Sequence, residues 1–341
     1  MILRKMLTAV LAGAGMLILI LDGQTALSGA AAGVDLCLKT VVPSLFPFLF
    51  LCALLTDALW GEHIRWLRPL GKGLGIPEGG ESLLVAAFLG GYPAGAQAVG
   101  DAFRTNRLSE SDACHLLRFC SNAGPAFLFG MTALQFEKQE WIWAIWVIQI
   151  ASALLTGLSG QQNSASNTQL PERSLNISQI LVRTVKTMGI ICGWIVLFRI
   201  LTEFLTRWFF WRLSPELSVM LTGLLELSNG CVALGAIETE LTRFLICSGL
   251  LSFGGLCVAM QTASVIGTLS LKPYLRGKLQ QTLLSLLLSA VYWQWGWSGL
   301  LSIGAIFMFV LSRRKKAVDF PGESLYNADI TSGRKQHHAV S

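Results

Sequence analysis

Long apolar stretches separated by short polar connections make up most of this chain. Several stretches of about 18 to 25 residues carry at most one charge. A helix of this length is long enough to cross a hydrocarbon core of about 30 Å. The pattern predicts membrane spans at positions 6–22, 43–60, 82–100, 113–134, 141–158, 188–206, 216–236, 244–268 and 282–311. The last region is either one long helix or two short helices split near residues 294–298.

The two strongly polar segments indicate how the chain is divided. Residues 159–178 are rich in Ser, Gln and Asn and have no apolar periodicity, which is typical of a linker. Residues 1–38 hold the first span and a connector, residues 39–158 a first membrane repeat and residues 179–312 a second. The basic tail, residues 313–341, is predicted to be disordered.

The two halves follow the same order of features, which predicts an internal repeat. In each half a Lys-Thr pair, at residues 39 and 186, precedes an apolar run that ends in Thr and an acidic residue. Two apolar segments follow, each interrupted by small or polar residues. The interruptions lie at 90–95 and 121–125 in the first half and at 226–230 and 252–256 in the second half.

Interrupted helices need a reason inside a membrane. Pro93 and Pro125 lack an N–H group and open the helical hydrogen-bond ladder, and irregular backbone is tolerated at membrane depth only inside protein or beside a wet cavity. Helix N-termini at such breaks suit anionic groups, and exposed carbonyls suit cations. We therefore expect a substrate site, with simple proline kinks or small-residue packing faces as the alternative.

The candidate substrate-binding residues are the small and polar residues of these interruptions: Gly91, Tyr92, Pro93, Gly95, Gln97, Ser121, Asn122, Gly124, Pro125, Glu226, Ser228, Asn229, Gly230, Ser252, Gly254, Gly255 and Gln261. Glu226 is the acidic residue most deeply embedded in an apolar run. A buried carboxylate is costly unless it is paired or protonated, so it marks a functional site. The alternative is a glutamate at a helix end that reaches the membrane interface.

We expect the halves to meet at a polar cavity because each unsatisfied polar group in hydrocarbon costs several kcal/mol. Its predicted lining is Tyr92, Asn122, Glu226, Asn229 and Gln261.

Composition and charge agree with a membrane location. Hydrophobic residues form 53% of the 341 residues and charged residues 13%, and the net charge is +6. The basic residues cluster beside the first and last spans, which predicts cytoplasmic termini, about eight crossings and one or two re-entrant segments. No basic stripe suited to nucleic acid is present. A cleaved signal peptide is the alternative for the first span.

Other chemistry has little support in the sequence. Cys114, His115 and Cys120 lie close together but lack a fourth ligand and match no zinc spacing. The eight cysteines resemble small buried hydrophobes, and no nucleotide-binding loop or nucleophile–base pair at helical spacing is present. We expect no cofactor, no metal and no enzymatic activity.

The segments beginning at Lys39, Phe88, Cys120, Glu226 and Phe253 resemble, in order, those of the sporulation integral membrane protein family YlbJ, also called SpoVV. The likeness covers about residues 6–312. It implies a nucleoside recognition or gate domain, similar to concentrative nucleoside transporters, with two repeats of interrupted helices and re-entrant hairpins. The implied role is passage of dipicolinic acid across the outer forespore membrane.

The expected function is a transporter or facilitator of a small anionic or nucleoside-like solute. Its expected partners are the lipid bilayer, the solute and a coupling ion, either proton or sodium, while the oligomeric state stays open. The alternative is a membrane scaffold that carries nothing and belongs to a sporulation complex.

Overall fold

The computed structural model describes residues 2–62, 64–160 and 176–318, and over these residues it contains helices and turns without strands. The α-helices are α1 (Ile2–Leu21), α2 (Gly23–Leu36), α3 (Val42–Ala58), α4 (Arg68–Gly73), α5 (Leu83–Phe88), α6 (Ala94–Arg104), α7 (Glu110–Leu116), α8 (Pro125–Gly130), α9 (Gln139–Leu158), α10 (Ile177–Trp208), α11 (Pro215–Leu225), α12 (Leu227–Ala233), α13 (Glu240–Phe253), α14 (Gly255–Val265) and α15 (Lys272–Val318). The all-α prediction is confirmed. Most of the predicted linker and the tail after residue 318 lie outside the described residues. Residues 313–318, predicted to begin the disordered tail, are helical and form the end of α15.

The chain divides into two compact units, residues 1–289 and residues 290–341. The first unit contains α1 to α14 and the start of α15. In the second unit α15 is interrupted at Gly296, whose φ of 59° and ψ of −149° are not helical. The split predicted near residues 294–298 is therefore present, and its cause is a glycine that adopts a conformation unfavourable for other residues.

Four helical segments of the described chain are long and apolar enough to cross a membrane: Gly23–Ala58, Gln139–Leu158, Ile177–Trp208 and Glu240–Val265. Large apolar side chains remain exposed along α10, including Val182, Val185 and Leu197. Exposed apolar faces of this length suit lipid rather than water. The structure thus agrees with an α-helical membrane protein, and the expected eight crossings stay a prediction.

The residues expected to form a connector after the first span are helical instead. Asp22 begins α2 by accepting a hydrogen bond from the Thr25 N–H, and a π-helical turn at Cys37–Val41 joins α2 to α3. The segment is rich in Gly and Ala, whose small side chains are only weakly apolar, so the apolar pattern does not reveal it. The small residues serve close packing.

Helix α2 packs against α10 through two glycines spaced four residues apart. A Cβ atom built on Gly29 would lie 2.9 Å from Cα of Ile200, and one on Gly33 would lie 3.0 Å from Cα of Val196. Small residues at this spacing let two helix backbones approach closely in a membrane. The α2–α10 contact therefore depends on the absence of side chains at these positions.

Helix α10 begins eleven residues before the predicted span at 188–206. Asn176 caps its first turn by accepting from the Gln179 N–H, and a buried stripe continues through Ile180, Thr184 and Thr187 at helical spacing. The apolar pattern did not predict this stripe because the charged residues Arg183 and Lys186 lie within it. Arg183 is held by an ion pair with Asp101 in which Nη1 and Oδ2 are 3.1 Å apart.

All four predicted interruptions are present. Breaks separate α5 from α6, α7 from α8, α11 from α12, and α13 from α14. Pro93 is the residue just before α6 and Pro125 is the first residue of α8, so both prolines start helices rather than bend continuous ones. The prediction of interrupted helices is confirmed, which disfavours the simple-kink alternative.

We predict that Gly29→Ala destabilises the folded protein by about 1–3 kcal/mol, because the new methyl group must push the α10 backbone away. The thermal unfolding midpoint of the purified protein in detergent measures the loss. Gly193→Ala is the matched control, since Gly193 lies inside α10 with no atom within 4 Å of a Cβ built there. Equal midpoints for the two variants would contradict the close α2–α10 contact.

Candidate functional site

The two interruptions of the first half pack directly on each other. Gly91 has a φ of 76°, and a Cβ atom built on Gly124 would lie 2.9 Å from Cα of Gly91. Gly95 approaches the carbonyl of Cys120 even more closely, so no side chain fits there. These three candidate residues therefore bring two irregular backbone segments together, and none of them contributes a side chain to a ligand.

The second half has a comparable arrangement. Gly254 and Gly255 both have positive φ angles, 86° and 79°, which let the chain end α13 and start α14 within two residues. A Cβ atom on Gly230 would overlap Cα of Gly223, and one on Gly255 would lie 2.8 Å from the Gly223 carbonyl oxygen. The breaks after α11 and α13 therefore meet at Gly223.

Glu226 occupies the break between α11 and α12 and is only 2% exposed. Its Oε1 accepts from the Ser228 N–H at 3.0 Å and its Oε2 accepts from the Asn229 N–H at 2.7 Å. Both carboxylate oxygens thus cap the N-terminus of α12, where the helix dipole also favours negative charge. Glu226 is buried, so the alternative in which it reaches the membrane interface is wrong.

Asn229 has its own partner on another helix. Its Oδ1 accepts from Nη1 of Arg199 at 2.7 Å, which ties the first turn of α12 to α10. Nη2 of Arg199 also lies 3.7 Å from Oε2 of Glu203. Asn229 was expected to line the cavity. Its Oδ1 is taken up by Arg199, while its buried Nδ2 has no hydrogen-bond partner among the described residues.

A cavity of about 340 Å³ lies between elements from both sides of the linker. Among the candidate residues, Tyr92, Gly124, Glu226, Ser228 and Gln261 line it. The predicted lining is therefore correct for Tyr92, Glu226 and Gln261 and wrong for Asn122 and Asn229. The remaining wall includes residues of α3 and α10 and the residues just before α3.

Several candidate residues lie away from this cavity. Gln97 lines a smaller cavity of about 40 Å³ beside Asp101 and Arg183. Ser121 and Ser252 are fully buried, and their hydroxyl oxygens have no hydrogen-bond partner among the described residues. Gln261 donates to Sγ of Cys257 at 3.3 Å while it lines the main cavity.

A buried lysine is the centre of a polar network beside the cavity. Lys278 of α15 is 0% exposed, and its Nζ lies 2.7 Å from Oε1 of Gln281, 3.1 Å from Oη of Tyr92 and 3.5 Å from Oδ1 of Asn122. Gly277 makes this depth possible, because its Cα has room only for hydrogen beside the Arg118 backbone. Tyr92 belongs to both the network and the cavity wall.

The network ends on backbone carbonyls of the interrupted segments. Tyr92 donates to the Leu251 carbonyl at 2.9 Å, and Asn122 donates to the carbonyls of Ala87 and Phe119 at 3.2 and 2.8 Å. Gln281 donates to Asn122 Oδ1 at 2.8 Å. The carbonyls of Ala87 and Leu251 lie in the last turns of α5 and α13, where a helix leaves carbonyls unpaired, and that of Phe119 lies in the turn between α7 and α8.

Sequence reasoning did not identify Lys278 or Gln281. Lys278 follows Lys272 and Arg276, so the segment looks like a charged loop before the last apolar region. A usable signal was present: Lys278, Gln281, Ser285 and Ser289 recur at spacings of three and four and are all fully buried. A polar stripe at helical spacing in an apolar helix indicates a face turned toward protein.

The metal alternative has no geometric support. His115 Nε2 lies 2.9 Å from the Leu74 carbonyl oxygen, and Cys120 is fully buried. Over residues 2–62, 64–160 and 176–318 no three His, Cys, Asp or Glu residues come close enough to hold a metal ion.

Comparison with known proteins supports a membrane location and a relation to a sporulation protein. The chain is 22% identical over 326 residues to the "Sporulation integral membrane protein YlbJ" of Bacillus subtilis (strain 168), covering 80% of this chain and 78% of that protein. The chain is a membrane protein related to a sporulation membrane protein. No family model matches the sequence, and no solved structure matches it.

We predict that Tyr92→Phe destabilises the folded protein by about 1–3 kcal/mol, because the Leu251 carbonyl and Nζ of Lys278 each lose a buried partner. Tyr274→Phe is the control: its ring centroid lies 6.0 Å from Lys278 Nζ, but its hydroxyl makes none of the network's hydrogen bonds. Thermal unfolding in detergent compares the two. A Tyr92→Phe midpoint as high as that of Tyr274→Phe would contradict the network.

Proposed function

We propose that this protein is a secondary transporter or facilitator, and not an enzyme, that carries a small polar solute across a bacterial membrane. The observation that supports this proposal is the 340 Å³ cavity, whose wall combines Tyr92 and Gly124 from one half with Glu226 and Gln261 from the other. Its volume lies at the lower end of the range for small-molecule sites. Transporter sites form between discontinuous helices of two repeats in the same way.

The proposal includes the internal repeat and the re-entrant hairpins. In this reading α5 and α6 correspond to α11 and α12, and α7 and α8 correspond to α13 and α14. Three features support it: the four breaks occur in the same order, the two breaks of each half meet at glycines, and the buried hydroxyls of Ser121 and Ser252 occupy corresponding positions. The resemblance to nucleoside recognition or gate domains supports it further.

The cavity wall favours a small ring-shaped solute with polar substituents. Phe127, Met131 and Ile191 provide apolar surface, and Gln261 provides an amide. Lys39, at the wall, provides a cation that is ion-paired with Asp35 at 2.7 Å. A flat ring packs on apolar surface and its polar substituents need such donors. Dipicolinic acid, which the family resemblance implies, and nucleosides both belong to this class. The proposal also includes three further points: the transport crosses the outer forespore membrane, both termini are cytoplasmic, and transport is coupled to a proton or sodium.

We predict that proteoliposomes containing the protein take up labelled dipicolinate faster than empty vesicles, and that Gly130→Phe reduces this uptake at least about tenfold. Gly130 lies in the cavity wall, and a Cβ atom built there meets no atom within 4 Å, so a large side chain can extend there without displacing protein. Labelled nucleoside in a parallel experiment separates the two solute classes.

Gly193→Phe is the matched control, because Gly193 lies on α10 away from the cavity and also has no atom within 4 Å of its Cβ position. It should transport at the wild-type rate. Absence of uptake of either solute by folded wild-type protein would overturn the transporter proposal and favour the scaffold alternative. Equal inhibition by both substitutions would refute the location of the site.

We also predict that Glu226→Gln removes a pH dependence of uptake. The carboxylate caps two N–H groups, so protonation at low pH replaces one acceptor oxygen by a hydroxyl and loosens the start of α12. Wild-type uptake should therefore change across the pH range in which this carboxyl group titrates, whereas the variant should stay at the wild-type low-pH rate throughout. Glu203→Gln, on the partly exposed pair with Arg199, is the control. An unchanged profile in Glu226→Gln would exclude Glu226 from coupling.

A further inference from the structure

We propose that Lys278 is a built-in monovalent cation: its ammonium group fills a cage of neutral oxygens at the helix breaks, in the place where a transporter of this type would bind an alkali ion. The inference rests on the hydrogen bonds and burial of the cage, so it holds or fails independently of whether the protein transports a solute. Its consequence is that this site needs no sodium.

The direction of each hydrogen bond shows that Lys278 faces three acceptors. Tyr92 has one O–H and donates it to the Leu251 carbonyl at 2.9 Å, so its oxygen presents lone pairs to Nζ. The Asn122 amide donates its N–H groups to two backbone carbonyls, which leaves Oδ1 as an acceptor.

The orientation of Gln281 is fixed in the same way. Its Nε2 donates to Asn122 Oδ1 at 2.8 Å and to the Gln149 carbonyl at 3.3 Å. A flipped amide would place its oxygen against these two acceptors and its NH₂ group against Nζ. Oε1 of Gln281 therefore faces Lys278 at 2.7 Å.

This count matches the charged form of the lysine, with Asn122 Oδ1 as the most distant acceptor at 3.5 Å and shared with Gln281 Nε2. A neutral amine has two N–H groups and one lone pair, so one of the three oxygens would face a lone pair. The ammonium has three N–H groups, one for each acceptor. Nζ also lies 4.9 Å from the centroid of the Tyr92 ring, a geometry that favours a cation.

The cage contains no counter-charge. The ion pairs formed within the described part of the chain do not include Lys278. The titratable groups beside it are Tyr92, Tyr274 and Cys120, which are ordinarily neutral at pH 7. Neutral oxygens around an isolated positive charge form the coordination that proteins offer to hard cations.

The position of the charge explains what it does. Tyr92 and Asn122 come from the two breaks of the first half, and Tyr92 is also tied to Leu251 in the last turn before Gly254. One ammonium therefore holds three of the four interruptions together. Sodium ions at broken transporter helices are bound by backbone carbonyls and helix C-terminal ends. Here side-chain oxygens bind the charge, and Tyr92 and Asn122 connect it to such carbonyls.

Lys278→Ala tests the proposal by chemical rescue. The substitution removes three carbons and the nitrogen, which n-propylammonium replaces and n-propanol replaces without charge. We expect the variant to unfold at least about 5 °C lower than wild type in detergent. n-Propylammonium should restore at least about half of that loss, sodium should restore more than choline, and n-propanol should restore nothing. Where the variant cannot be purified alone, n-propylammonium is added from cell lysis onward.

Lys278→Met and Lys272→Ala are the controls. Lys278→Met fills the space without charge, so it should be as unstable as Lys278→Ala and respond to neither additive. Lys272 is an exposed lysine on the same helix, and its alanine variant should behave as wild type. Wild type itself should unfold at the same temperature in sodium and in choline. The proposal is overturned if Lys278→Met is as stable as wild type, if n-propanol rescues as well as n-propylammonium, or if wild type unfolds at a higher temperature in sodium than in choline.

Discussion

The structure depends on one constraint: backbone N–H and C=O groups freed at a helix break inside a membrane must find partners within the protein. At each of the four breaks a side chain provides a hydrogen-bond partner for these backbone groups. Asn122 serves the carbonyls of Ala87 and Phe119 beside the first two breaks. Glu226 serves two N–H groups at the third, and Tyr92 serves the Leu251 carbonyl before the fourth. The polar residues of the breaks are therefore needed for folding before any solute is considered.

The charges follow the same logic. Glu226 lies where α12 begins and N–H groups are unpaired. Lys278 lies among side-chain oxygens whose own N–H and O–H groups donate to backbone carbonyls and, for Gln281, also to Asn122. A negative group belongs at a helix N-terminus and a positive group near helix C-terminal ends. The two buried charges are not paired with each other. Each is stabilised instead by oriented dipoles at the helix breaks around it.

The sequence was sufficient to predict what depends on local chemistry. Pro93, Pro125 and the Gly254-Gly255 pair restrict or release the backbone wherever they occur, so the breaks were predictable. Helix α2 was missed because its glycines are required by close contact with the α10 backbone, and the local sequence does not show that contact. Lys278 was missed because Tyr92 and Asn122, two of its three partners, lie more than 150 positions away. The local polar stripe indicates only that this face of the helix is turned toward protein.

The same separation explains why the predicted lining was partly wrong. Asn122 and Asn229 are polar residues at breaks, like Tyr92 and Gln261, and no local pattern distinguishes the two pairs. The structure places both asparagines outside the cavity wall. Asn122 donates to two carbonyls, and Oδ1 of Asn229 accepts from Arg199. Tyr92 differs because one edge of it belongs to the network and another to the cavity wall. A solute that contacts Tyr92 therefore acts on the same side chain that holds the breaks together, and this contact is the shortest route by which binding could change how they pack.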